Sequence, residues 1–88
     1  MMIPTAEDFE VRLHDLFSRA QVKGLSFIDI VSGDLHRQIG GYPAKDGDHR
    51  MPVCCEVMKR LMKNNDKILH EPLKGKGATL QIRYFLPR

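Results

Sequence analysis

The sequence predicts an α+β fold, with three helices and a small antiparallel sheet in a single domain spanning residues 1–88. Three observations support this prediction: an apolar stripe at helical spacing near the N-terminus, a short β-branched segment after it, and an alternating segment near the C-terminus. Hydrophobic residues make up 42% and charged residues 28% of the chain, a composition typical of a folded globular domain and not of a disordered one.

The first predicted helix has Thr5 as its N-cap and Asp8 three residues later, which is close to a capping box. Gly24 is placed to end this helix. The apolar stripe that should face the core comprises Phe9, Leu13, Leu16, Phe17 and Ala20. Residues 27–31 follow as a short β-branched strand, bounded by Gly24 and Ser32-Gly33.

Two further helices are predicted after this strand. Ser32 can cap the second, which runs through residues 34–39 and ends at Gly40-Gly41. Residues 42–48 are dense in turn formers and predict a loop. The third helix should begin near residues 49–52, because proline is tolerated in a first turn, and end at residues 64–66.

The C-terminal segment predicts a hairpin. Residues 67–71 form one strand, residues 72–77 a turn and residues 79–86 the second strand, in which Leu80, Ile82, Tyr84 and Leu86 alternate with polar or aromatic positions. The predicted core comprises Phe9, Leu13, Leu16, Phe17, Ile28, Ile30, Leu35, Ile39, Val57, Met58, Leu61, Ile68, Leu80 and Ile82.

The charges are distributed unevenly along the chain. Residues 1–49 carry five basic and eight acidic side chains, a net charge of −3, whereas residues 50–88 carry nine basic and three acidic ones, a net charge of +6. Such asymmetry is expected when one face of a domain meets a polyanion, although lysines that only keep a small domain soluble would give the same pattern.

The order of helix, strand, two helices and hairpin resembles that of the winged helix-turn-helix superfamily of DNA-binding domains. The resemblance covers nearly the whole chain, and the main departure is a loop of about nine residues between the second and third helices, where the tight version has three or four. The segments at 32–37 and 49–55 are also similar to small uncharacterised bacterial proteins. The resemblance implies that the third helix enters the major groove of double-stranded DNA and that the hairpin wing lies along the backbone.

The predicted nucleic-acid-binding residues are Arg50, Glu56, Lys59, Arg60, Lys63, Lys74, Lys76 and Arg83. Arg50 is the candidate for reading bases, because recognition helices contact bases through their first turns. Lys59, Arg60 and Lys63 are expected to neutralise phosphates, and Glu56 either accepts from cytosine or pairs with Lys59 or Arg60. A regulatory role on DNA would follow from this surface.

The alternative function is a protein-interaction or dimerisation module on the same scaffold, because the fold alone does not fix function. The cations of the third helix could also form an ordinary solvated face. Cations that share one open face would favour nucleic acid, whereas cations that are scattered or held in ion pairs would favour a protein partner or a homodimer.

We expect no metal site, cofactor or catalytic site. The four histidines and two cysteines lack the spacing of structural zinc sites, and Cys54 fits a buried apolar position. Cys55, near a helix start, is the best candidate nucleophile, but nothing in the sequence identifies a residue that would orient its histidine partner. The adjacent cysteines disfavour a disulfide-stapled secreted domain. Without a signal-like or membrane-spanning apolar run, we expect a cytoplasmic location.

Overall fold

The computed structural model describes residues 4–40, 51–72 and 77–88. Within these ranges the fold is α+β, with three helices and a three-stranded antiparallel sheet. The elements in chain order are α1 (Ala6–Val22), β1 (Phe27–Val31), α2 (Ser32–Ile39), α3 (Met51–Arg60), β2 (Lys67–His70) and β3 (Gln81–Phe85). The predicted order of elements is therefore confirmed for the described residues.

Helix α1 begins and ends as its sequence predicts. The Thr5 hydroxyl accepts a hydrogen bond from the Asp8 amide, and the Asp8 carboxylate accepts one from the Thr5 amide, which completes a capping box. After the helix, Gly24 adopts a φ of +78°, a conformation that costs glycine little. The stripe containing Phe9, Leu13 and Phe17 is buried.

Helix α2 begins in a different way from the one predicted. Ser32 is not the cap but the first helical residue, and it is buried. Its hydroxyl donates to the Gly77 carbonyl at 2.7 Å, and its amide donates to the Leu80 carbonyl at 2.8 Å. The next amide, from Gly33, donates to the Ala78 carbonyl at 2.9 Å. Contacts with the segment before β3 therefore satisfy the start of α2, and Gly40, with a φ of +109°, ends it.

Helix α3 is shorter than predicted. It ends at Arg60, and Asn64, Asn65 and Asp66 belong to a separate turn. In that turn the Asp66 carboxylate accepts from the Lys63 amide at 2.8 Å, while the Asp66 amide donates to the Lys63 carbonyl at 3.0 Å. The predicted start at residues 49 and 50, the loop at 42–48 and the helix stop at Gly41 lie outside the described residues.

The sheet has the strand order β1-β3-β2, so the last strand is central. Along β3, Ile82 and Tyr84 are buried on the face that packs against the helices, and Gln81, Arg83 and Phe85 lie on the opposite face. The Tyr84 hydroxyl donates to the Met58 carbonyl of α3 at 2.8 Å, which ties the sheet to this helix. The predicted hairpin pairing of the last two strands is confirmed.

The core follows the prediction with one error. Ile68 was predicted to be buried but is 40% exposed, because β2 is an edge strand whose four residues are all exposed. Leu16, Ile28, Ile39 and Leu61 are partly buried against the core. Ala20, Cys54 and Tyr84, which the sequence patterns place on buried faces, are buried, and the structure adds Met51 and Cys55. The residues of the predicted core that are buried are Phe9, Leu13, Phe17, Ile30, Leu35, Val57, Met58, Leu80 and Ile82.

A buried ion pair joins the turn after α3 to the end of β3. The Arg88 guanidinium donates to the Asp66 carboxylate at 2.6 Å, and the two side chains are only 7% and 1% exposed. Asp66 also accepts from the Phe85 amide at 2.8 Å. Burial alone would raise the pKa of Asp66, but the amides of Lys63 and Phe85 and the Arg88 guanidinium outweigh it and hold the pKa below its ordinary value.

Candidate nucleic-acid interface

The outward side of α3 carries Pro52, Glu56 and Arg60, which are spaced four residues apart and exposed. The inward side buries Cys54, Val57 and Met58. Helix α3 therefore presents one acidic and one basic side chain of this stripe to solvent.

Lys59 lies on the flank of α3 that faces the hairpin. Its Nζ atom is 3.0 Å from the Glu71 carboxylate, just after β2. Both side chains are partly exposed, at 35% and 47%. Lys59, which the sequence predicts to contact a phosphate, is thus paired with a carboxylate at the base of the hairpin.

Arg60 points toward α1, where its Nη2 atom lies 3.2 Å from the Glu10 carboxylate. Helical spacing allows Glu56 to pair with Lys59 or Arg60, but the structure pairs these cations with Glu71 and Glu10 instead. Glu56 itself is exposed on the outward stripe. The two acidic partners were not recognised from the sequence, because Glu10 lies 50 residues from Arg60 and no local pattern joins them.

The base of the hairpin lies directly against α2 and α3. The Gly77 carbonyl accepts hydrogen bonds from the Ser32 hydroxyl at 2.7 Å and from the Cys55 thiol at 3.2 Å. Gly77 also lies so close to Pro72 that a Cβ atom on Gly77 would stand 3.0 Å from the Pro72 Cβ. Pro72 and Gly77 are therefore close neighbours. Gly77 and Glu71 contact α3 at Cys55 and Lys59.

Four predicted interface residues lie beyond α3 or outside the described ranges. Arg50, Lys74 and Lys76 belong to the residues outside the described ranges. Lys63 was predicted on the face of the third helix, but it lies in the turn after α3 with its side chain exposed.

Arg83 lies apart from α3, on the outer face of the sheet. Its Nε and Nη2 atoms donate to the two oxygens of Asp29 at 2.8 and 3.0 Å. The Asp29 carboxylate, which accepts both hydrogen bonds, raises the pKa of the guanidinium above its ordinary value. The structure thus places Lys59 and Arg60 on α3, where they reach toward Glu71 and Glu10 respectively. Lys63 lies beyond the end of this helix, and Arg83 lies on the outer face of the sheet.

The cysteines are packed in the core. Cys54 and Cys55 are both fully buried as free thiols, which confirms the apolar position predicted for Cys54. Burial, with a smaller effect of the neighbouring Cys55, raises the pKa of the Cys54 thiol far above its ordinary value. Among the residues that the structure describes, no three histidine, cysteine or acidic side chains cluster as a metal site would require.

None of the described helices is both long and apolar enough to cross a bilayer. Comparison of the chain with protein-family models, curated proteins and solved structures returns no match. Its function is therefore inferred from its own residues.

Proposed function

We propose that this chain is a winged-helix domain that binds double-stranded DNA, with α3 in the major groove and the hairpin turn at residues 72–77 along the phosphate backbone. The order of elements and the central position of β3 in an antiparallel sheet support this architecture. An α-helix with its side chains fits the width of the major groove.

The observation that carries the proposal is the attachment of the hairpin to α3. The Cys55 thiol binds the Gly77 carbonyl, and Lys59 binds Glu71, so both ends of the hairpin segment start beside the proposed recognition helix. The lysines at positions 74 and 76 lie between Pro72 and Gly77 in the sequence. A helix and a hairpin that share one side of a domain can contact a groove and its adjacent backbone together.

The ion pairs of Lys59 and Arg60 are compatible with phosphate binding. Each pair is partly exposed, and exposed pairs contribute only about 0–1 kcal/mol to stability. A DNA phosphate can therefore replace the carboxylate at small cost. The carboxylates of Glu10 and Glu71 still reduce the positive potential of this surface, so we expect modest affinity for DNA. Because the contacts are with phosphates, this affinity should depend strongly on salt.

The test is a salt titration of binding to a random-sequence DNA duplex, followed by fluorescence anisotropy. We expect the double variant K59A/R60A to lower the slope of log affinity against log salt by about two units, since each lost phosphate contact removes nearly one. The matched control is R19A/K23A, which removes two exposed cations near the end of α1. An equal loss in both double variants would show that only net charge matters and would overturn the assignment of α3.

A second candidate function is a protein-interaction or dimerisation module. The specific observation in its favour is that Lys59, Arg60 and Arg83 are each held by a carboxylate of the same chain. For this function we expect no duplex binding even at low salt. Sedimentation over a range of protein concentrations would then show whether the partner is a second copy.

A further inference from the structure

The outer face of the sheet, opposite the helices, carries an arrangement that the proposed function does not use. Phe27 on β1 lies directly across from Phe85 on β3, and the next row on the same face contains Asp29, Arg83 and Lys67. Helix α3 packs against the opposite face of the sheet, where the Tyr84 hydroxyl donates a hydrogen bond to the Met58 carbonyl. We call the five residues of these two rows the outer sheet face.

Two aromatic rings on this face are in edge-to-face contact. The Phe27 and Phe85 ring centroids are 6.2 Å apart at an interplanar angle of 62°, and Phe27 is 39% exposed. Burying the surface of an aromatic ring is energetically favourable. A ligand that covers the exposed part of these rings would therefore gain binding free energy.

A planar cation covers one face of the Phe27 ring. The Arg83 guanidinium lies 4.1 Å from the centroid of the Phe27 ring, and the two hydrogen bonds to Asp29 fix its orientation. Lys67, which lies across from Arg83 on β2, is exposed and makes no ion pair with any described residue. The outer sheet face therefore has two cations and one carboxylate.

We propose that the outer sheet face binds single-stranded nucleic acid, with bases stacking on Phe85 and on the exposed part of Phe27, and phosphates contacting Lys67 and Arg83. Proteins that bind single strands combine stacking platforms with cations in this way. A duplex cannot make the same contacts, because its bases are stacked on one another and their faces are not available to the phenylalanine rings.

The charge of the face favours a polyanion over a second copy of the chain. In a two-fold dimer through this face, the excess positive charge of one copy would meet that of the other. A nucleic-acid strand instead neutralises it and releases counterions. The inference does not rest on the proposed function, because it uses residues on the side of the sheet away from α3.

The test uses fluorescein-labelled oligothymidylate and oligouridylate of about ten nucleotides, so that single-stranded DNA and RNA are compared. We expect Phe27→Ala to weaken binding by at least about fivefold, since stacking on one aromatic ring contributes about 1–3 kcal/mol per base. Phe27→Tyr should retain binding, because it keeps an aromatic ring. The matched control is Val11→Ala, which removes an exposed apolar side chain from α1.

A second readout reports stacking directly. The chain contains no tryptophan, so Phe85→Trp gives a single indole whose fluorescence should be quenched when the oligonucleotide is added. Absence of quenching, or equal affinity of the wild type and Phe27→Ala, overturns the proposal. A concentration-dependent dimer that Phe27→Ala abolishes, without oligonucleotide binding, would assign the face to a second copy. Duplex affinity should respond to K59A/R60A and not to Phe27→Ala, which separates this inference from the proposed function.

Discussion

Removing the carboxylate that holds Lys59 should strengthen duplex DNA binding. The variant Glu71→Gln keeps the size of the side chain but removes the negative charge 3.0 Å from the Lys59 Nζ atom. If α3 faces the phosphates, this charge opposes binding in two ways. It repels a phosphate that binds Lys59 beside it, and a phosphate that takes its place must first break the Lys59–Glu71 ion pair.

The size of the effect follows from the geometry of the pair. A phosphate bound to Lys59 on the side away from Glu71 would lie roughly 7 Å from the carboxylate, where repulsion in water is about 0.6 kcal/mol. Where the phosphate instead displaces the carboxylate, breaking this exposed ion pair costs at most about 1 kcal/mol, since both side chains are more than a third exposed. We therefore expect a gain of about 1 kcal/mol, or about fivefold in affinity.

The assay is fluorescence anisotropy with a labelled duplex at about 50 and about 200 mM salt, where the gain should shrink as salt rises. The matched control is Glu7→Gln, which makes the same change in net charge at an exposed position in the first turn of α1. Equal tightening in both variants, or weaker binding by Glu71→Gln, would refute the placement of Lys59 against phosphate.

Three further predictions concern the stability of the scaffold. Asp66→Asn should lower the free energy of unfolding in urea by about 3 kcal/mol, because it leaves the buried Arg88 guanidinium without its counter-charge; a loss below about 1 kcal/mol would show that the pair is dispensable. The pKa of Asp66 is lowered in the folded state, so its contribution to the free energy of unfolding is complete above the ordinary carboxyl pKa and is lost as pH falls below about 4. The free energy of unfolding, monitored by circular dichroism, should therefore depend less steeply on acid pH in Asp66→Asn than in the wild type. Gly33→Ala should cost about 1–3 kcal/mol, because its Cβ atom would lie 2.9 Å from the Ala78 carbonyl oxygen, and a thermal midpoint equal to that of the exposed-site control Ser18→Ala would contradict this packing.

Local patterns predicted most of the fold. The segment FIDIV, bounded by Gly24 and Ser32-Gly33, defined β1 to the residue, and alternation along β3 placed Ile82 and Tyr84 on the buried face. The predictions were wrong where the structure of a segment depends on its tertiary contacts. Residues 61–63 continue a helical pattern, but the Asp66 carboxylate binds the Lys63 amide and forms a turn instead. Ile68 has the character of a core residue, but its strand lies at the edge of the sheet.

The charged surface was less predictable than the fold. The sequence showed where cations cluster along the chain, but it did not show that Arg60 would meet Glu10 or that Arg83 would meet Asp29, residues 50 and 54 positions away. Such pairings depend on tertiary contacts between elements. Periodicity does place Arg83 on the face opposite Ile82, so its separation from α3 was available from the alternation of β3.

The contacts at the start of α2 bear on how the chain assembles. An eight-residue helix is too short to be stable alone, and the amides of its first turn ordinarily have no partners. Here the Ser32 and Gly33 amides bind carbonyls more than forty residues away, so their protection from solvent deuterium requires the C-terminal strand to be docked. These two amide protons should exchange only when the whole domain opens, and would therefore report global unfolding from the end of a helix where exchange is usually fastest.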